Sequence, residues 1–276
     1  MEAQALAQSD PADPLRVSAA AEAQADADPF LVFDEAALER RADVLADAYR
    51  SAAPFPHTVI DDFLPRASAE RILAAFPRAD DGAWLDWRKR DVVHQPGKLG
   101  IGHADRLNRS HTFLRSALSA FNSTEVVSFL ERLTGIQGLV PDPHFFGGGV
   151  HQILPGGRLS IHADFNWHGQ LRLYRRVNLL LYLNKDWDEA WGGALELWDR
   201  EMNACALRVA PIFNRAVIFN TDRDALHGHP DPLLAPDGVT RKSLALYYYT
   251  AEGRPEDLEA RSTLWRLRPG EVEREG

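Results

Sequence analysis

The apolar pattern changes period once along this chain. From Asp34 onward, Leu38, Ala42, Leu45 and Tyr49 recur at helical spacing, and Asp34 is placed to cap a helix running to about Ser51. Further helices are predicted over 67–76, 112–121 and 123–133, with a short strand at 57–63. Pro54-Phe55-Pro56 and Pro77 close the first two helices. After Gly135 strand-like segments follow one another at 145–154, 158–165, 171–184, 194–198, 216–220 and 241–250. Gly147-Gly148-Gly149, Pro155-Gly156-Gly157 and Gly192-Gly193 punctuate them. Consecutive short strands without helices between them favour an antiparallel barrel or jelly roll over a parallel sheet. The predicted fold is therefore α+β, mainly β, with a double-sheet jelly-roll core and N-terminal helices packed outside.

The remaining stretches are less patterned. Residues 1–29 are rich in Ala, Asp, Gln, Glu and Pro and are expected to be a disordered tail. Residues 30–33 could dock onto the fold. The polar stretch 78–109, with Trp84 and Trp87, reads as a long loop able to cover a cleft. The tail from Gly253 is charged, with Trp265 as its apolar anchor. One domain over 30–276 is expected, helical to 135 and β from about 141 to 250.

Composition narrows the function classes. A hydrophobic share of 45% and a charged share of 26% are those of a soluble globular protein. The formal net charge of -9 argues against general binding to nucleic acid or anionic membranes. No apolar run reaches membrane-spanning length, and the N-terminus lacks the pattern of a secretory signal. A single cysteine, Cys205, excludes an internal disulfide framework and a thiolate zinc cluster. It is expected to be a small buried hydrophobe, and the setting a reducing, cytoplasmic one.

The candidate chemistry begins at His162-Ala163-Asp164. Residues two apart on a strand point to the same side, so both side chains can reach one point. Imidazole and carboxylate are two thirds of the two-His, one-carboxylate set that holds non-haem Fe(II). His227 and His229, just beyond the apolar strand 216–220, are the candidates for the third ligand. Of the other histidines, His57, His94, His103 and His111 precede the β core. His144 and His168 sit at strand ends, where a solvated or capping role is expected, and His151 could point into the barrel. In the last strand, Arg241, Ser243, Ala245 and Tyr247 share one face, and a guanidinium fork beside a hydroxyl suits a carboxylate. Arg241 at a strand end could equally reach solvent. Along 171–184, Arg176, Asn178, Leu180, Tyr182 and Asn184 form a face that could line a cavity, alternating with apolar Val177, Leu179, Leu181 and Leu183. Tyr182 is a candidate hydroxyl donor to a bound carboxylate.

Taken together these residues resemble the Fe(II)/2-oxoglutarate-dependent dioxygenases, in their prolyl 4-hydroxylase-like branch. His162-Ala163-Asp164 matches the first two ligands. Tyr182-Leu183-Asn184-Lys185-Asp186-Trp187 followed by Gly192-Gly193 is very like the hypoxia-sensing prolyl hydroxylases. His227 is the better match for the distal ligand, and Arg241-x-Ser243 matches the pair that grips the far carboxylate of 2-oxoglutarate. The interval from His227 to Arg241 is longer than in the oxygen sensors and contains Pro230, Pro232 and Pro236, so His229 stays as the alternative ligand. The resemblance implies a double-stranded β-helix and Fe(II), with 2-oxoglutarate and O2 as co-substrates and ascorbate as reductant. His162, Asp164 and His227 would hold the metal, and Arg241, Ser243 and Tyr182 the co-substrate. The implied substrate is a prolyl or other amino-acid or peptidyl C–H bond. A small metabolite of a biosynthetic pathway, a jelly-roll metal enzyme without 2-oxoglutarate, and a non-catalytic binding module are the rival readings.

Overall fold

The computed structural model describes residues 17, 21–23, 30–86, 91, 93–102, 106–107 and 111–272. Most of the expected disordered tail, together with Trp87 and His103, lies outside the described residues. Asp34 caps α1 (Glu35–Ser51), its side chain accepting from the Ala37 N–H at 3.0 Å. Leu38, Ala42 and Tyr49 are buried on the inner face of that helix. In the segment 30–33, Leu31 is buried and Phe33 packs edge-on against Phe121, while Phe30 and Val32 are exposed.

The chain continues through β1 (His57–Ile60), α2 (Arg66–Ala74), β2 (Leu85–Asp86), β3 (Lys98–Ile101), α3 (Thr112–Ala120) and α4 (Thr124–Thr134). The β-rich half opens with β4 (Val140–Pro141), β5 (Gly149–Ile153), β6 (Leu159–Ala163), β7 (Trp167–His168) and β8 (Leu173–Tyr182). It closes with β9 (Leu195–Trp198), β10 (Cys205–Val209), β11 (Ala216–Asn220), β12 (His227–His229), β13 (Arg241–Thr250) and β14 (Leu264–Trp265).

Two antiparallel sheets result. The major one runs β1-β11-β8-β13-β5-β3-β2, with β4 added to β13 and β7 to β8; the minor one runs β10-β9-β12-β6-β14. This is the mainly-β jelly roll with outer helices that the sequence pattern predicts. The apolar positions of β8, Val177, Leu179 and Leu181, share one buried core with Ile72, Leu114, Leu118, Phe129 and Leu130 of the helices. Each such fully buried side chain contributes about 1.5–3 kcal/mol. A second cluster, with Leu195, Leu197, Val217 and Phe219, fills the space towards the minor sheet. The Tyr49 hydroxyl donates to Asn220 Oδ1 at 2.7 Å and ties α1 to the end of β11.

Three expectations need correction. The stretch 78–109 is not simply a loop, because β3 pairs with β5 and β2 with β3 at one edge of the major sheet. Lys-Leu-Gly-Ile has weak strand propensity, and the exposed edge of β5 makes it a strand. Of the two roles expected of His168, solvation fails and capping holds: it is buried at the end of β7, and its ring accepts from the Leu171 N–H at 3.1 Å. Cys205 is half-buried, packed against the cluster of Ile161, Trp198 and Leu226. No helix among the described residues is long and apolar enough to cross a membrane.

Candidate functional site

The minor sheet brings two histidines side by side. His227 on β12 is the direct cross-strand partner of His162 on β6, and their rings lie 4.5 Å apart. Gly228 makes this possible, since a Cβ there would fall 2.8 Å from the carbonyl oxygens of Leu159 and Ser160 on the neighbouring strand. Asp164 stands two residues beyond His162, as strand spacing predicts. Its carboxylate oxygens lie 3.5 Å from His162 Nε2 and 3.5 Å from His227 Nε2. One donor atom from each of the three residues falls within 4.8 Å of the others.

Both rings are oriented by the backbone. His162 Nδ1 is 2.9 Å from the Ser160 carbonyl and His227 Nδ1 is 2.9 Å from the Ala225 carbonyl. A carbonyl can only accept, so each Nδ1 carries the proton and each Nε2 keeps its lone pair for the shared point. The cluster therefore fits a divalent metal that takes two nitrogens and one oxygen on one face. His229 lines the same cavity but stands outside this cluster, opposite Leu159, where β6 carries an irregularity in register.

Asp164 is held by more than the histidines. Arg175 Nη2 is 3.0 Å from Oδ2, Asn178 Nδ2 donates to Oδ2 at 2.7 Å, and Arg261 donates to the Asp164 main-chain carbonyl. Burial would raise its pKa, but Arg175, with His227 and His162, outweighs that and holds the carboxyl well below its usual range. Burial first, then His162, pushes His227 down to about 4. His151 is lowered by burial and Lys98, and His229 by burial and Arg241.

These shifts predict an acid-sensitive metal-free protein. The unfolded chain protonates histidine near pH 6.5 whereas the folded one resists, so unfolding takes up protons and stability falls as pH drops through 6.5 towards about 4. His227 alone accounts for about 3 kcal/mol of this loss. Urea unfolding of metal-stripped protein at pH 7.5, 6 and 5 checks it; a flat profile would count against neutral burial.

The facing major sheet supplies a second set of polar groups. One inward row runs Gly100, His151, Ser243, Tyr182 across β3, β5, β13 and β8; the next runs Lys98, Ile153, Arg241. Arg241 is buried, with Nε donating to the Gly193 carbonyl at 2.6 Å and Nη2 donating to the Tyr182 hydroxyl at 3.1 Å. Gly193, at φ +72°, lets the chain pass this closely, because a Cβ there would lie 3.2 Å from Arg241 Cδ. Two bonds leave most of the guanidinium's five N–H groups for a ligand. Tyr182 is fully buried and engages Arg241 through its hydroxyl and its ring face, 4.8 Å from the guanidinium carbon.

Between the two sheets lies a cavity of about 440 Å³, lined by His162, Asp164 and His227 on one side and Arg241 and Ser243 on the other. That volume suits a small molecule. Although the chain as a whole is acidic, the described charged side chains lining the cavity are Lys98, Arg175 and Arg241 against Asp164. A cationic cleft in an acidic protein selects anionic ligands.

Sequence reasoning misplaced two residues here and missed others: Asn184 does not line the cavity, its amide donating instead to the Pro211 and Lys242 carbonyls. On β8 it put Arg176 on the inner face. Consecutive Tyr248 and Tyr249 on β13 pair with Val177 and Arg175, so Arg176 is the extra residue of a bulge and Arg175 turns inward instead. Arg176 reaches Thr250 Oγ1 at 3.0 Å. Lys98 was hidden in the supposed loop, and Arg261 in the tail. Trp265 is more than an anchor: on β14 it pairs with His162, and its ring stacks on His94 at 4.3 Å.

Comparison with known proteins agrees with this geometry. Residues 148–249 match the model of the 2OG-Fe(II) oxygenase superfamily. Over 83 residues the chain is 34% identical to prolyl hydroxylase EGLN3 of Mus musculus and of Homo sapiens. The alignment takes in 30% of this chain and 32% of those relatives, so the chain spans about a third of their length. A solved prolyl hydroxylase of Trichoplax adhaerens, in complex with a hypoxia inducible factor oxygen degradation domain peptide fragment, superposes with a TM-score of 0.52 at 23% identity. That match covers 77% of this chain and 90% of that one. A prolyl 4-hydroxylase structure from Phytophthora capsici gives 0.53 at 20% identity, covering 84% and 70%. At these identities the structures establish a shared fold.

Proposed function

We propose, from the match of residues 148–249 to the 2OG-Fe(II) oxygenase model and the local similarity to prolyl hydroxylases, that the protein is a 2-oxoglutarate-dependent dioxygenase. It hydroxylates a C–H bond of an amino-acid or peptidyl substrate, a prolyl residue being the first candidate. The overall reaction consumes 2-oxoglutarate, O2 and the substrate R–H, and yields succinate, CO2 and R–OH. The observation that carries this reading is the single cavity in which the His162–Asp164–His227 cluster faces Arg241 and Ser243 from the opposite sheet.

When bound, Fe(II) would supply the O2 activation and oxidative decarboxylation that no side chain here can perform. The chain's own groups do the rest. His162 and His227 would offer Nε2, and Asp164 an ionised carboxylate, to hold the metal. Arg241 and Ser243 grip the distal carboxylate of 2-oxoglutarate, and Tyr182 and Gly193 fix the fork in place. Arg175 and Asn178 keep Asp164 charged and oriented, as outer-shell partners of a metal carboxylate do.

The assay is direct. Purified protein with Fe(II), ascorbate, O2 and 2-oxoglutarate is expected to form succinate slowly without a primary substrate, and faster with an accepted one. Candidate peptides and amino acids are then screened for a gain of one oxygen atom by mass spectrometry. Absence of metal-dependent succinate formation would overturn the assignment.

A further inference from the structure

Arg241 is not alone in the cavity. Lys98 lies on β3, two strands away from Arg241 in the same inward row, with Ile153 between them. It lines the cavity together with Gln95, Leu85 and Gly100, so β2, β3 and Gln95 add a wall at the sheet edge. The ammonium is braced. Lys98 Nζ donates to Gln95 Oε1 at 2.8 Å, and Gln95 Nε2 donates to Asp91 Oδ2 at 3.2 Å. Asp91 in turn accepts from the His94 N–H at 2.9 Å through its other oxygen. A long flexible side chain held by such a relay has surrendered part of its rotamer freedom before any ligand arrives, and that preorganisation favours binding.

The charges in the cavity point to what Lys98 meets. Arg175 faces Asp164 at 3.0 Å, and Arg241 is positioned for one distal carboxylate. Lys98 brings a third cation to the same lining, within electrostatic reach of Asp164 and Asp91. From this we infer that Lys98, braced by Gln95 and Asp91, is a second carboxylate-binding residue of the cavity. Its ligand is a carboxylate of the primary substrate or the other carboxylate of 2-oxoglutarate. The inference rests on the dioxygenase reading proposed above, and it makes Lys98 a determinant of which molecules the site accepts.

The test compares wild type with Lys98→Met and Lys98→Arg, using full-length protein loaded with Mn(II). In one arm 2-oxoglutarate is titrated calorimetrically. In the other, 2-oxoglutarate is saturating and free amino acids are compared with their carboxamides by thermal shift. Loss of a charge-assisted contact corresponds to roughly a tenfold to hundredfold weakening. If Lys98→Met weakens 2-oxoglutarate by that factor and Lys98→Arg restores it, the ligand is the co-substrate. If 2-oxoglutarate binds normally but wild type prefers acids over amides and Lys98→Met loses that preference, the ligand is the substrate. Unchanged 2-oxoglutarate affinity together with the same acid-to-amide response in wild type and Lys98→Met overturns the inference. Failure of wild type to bind 2-oxoglutarate at all would instead overturn the dioxygenase reading.

Discussion

Asp164→Ala is expected to abolish metal-dependent succinate formation and to destabilise the metal-free fold at once. The carboxylate is the single anionic member of the His162–Asp164–His227 cluster, so its loss removes both a ligand and the charge that neutralises a dication. Removing even an outer-shell partner costs about 10–100-fold in metal affinity, and removing this ligand should exceed that. The stability effect has a separate origin. Arg175 is buried, 3.0 Å from Asp164, and would be left as an uncompensated internal cation. Breaking a buried pair in this way typically costs about 3–5 kcal/mol. Asp164→Asn keeps the side-chain shape, so it separates the charge from the packing. Calorimetric titration with Mn(II) and urea denaturation of the stripped protein read the two effects. Wild-type metal affinity in Asp164→Ala would remove Asp164 from the ligand set.

Arg241→Met should spare metal binding and weaken 2-oxoglutarate. Truncating one partner of a buried, hydrogen-bonded charge pair costs about 2–5 kcal/mol, or roughly thirtyfold to several thousandfold in affinity. Arg241→Lys should fall between, because an ammonium keeps the charge but cannot reproduce the fork that spans the Gly193 carbonyl and the Tyr182 hydroxyl. Calorimetry with 2-oxoglutarate on the Mn(II)-loaded variants gives the ranking directly. Equal affinity in wild type and Arg241→Met would mean that the distal carboxylate is held elsewhere.

The two variants probe opposite walls of one cavity, and those walls were legible in the chain to different degrees. Strand periodicity is local, so His162 with Asp164, and Arg241 with Ser243, could be assigned to shared faces without knowing any partner strand. The same rule failed at Arg176. A bulge is a property of two strands in register, and the pairing of β8 with β13 turns Arg175 inward instead. Lys98 escaped for a related reason: the segment Lys-Leu-Gly-Ile becomes a strand when β5 offers it an edge.

By itself, then, the sequence determined the order of the longer helices and strands, the mainly-β class, and the chemical types available to a metal and a carboxylate. These follow from side-chain period, capping and turn residues, all of which act within a few positions. Only the tertiary structure decided between His227 and His229 as the histidine that clusters with His162 and Asp164, because cross-strand register settles that point. It also set Tyr182 behind Arg241, carried Trp265 from the tail to His162, and concentrated positive charge in the cleft of an acidic protein. Such juxtapositions arise from hydrogen-bonding between segments far apart in the chain, and no local pattern encodes which segments will meet.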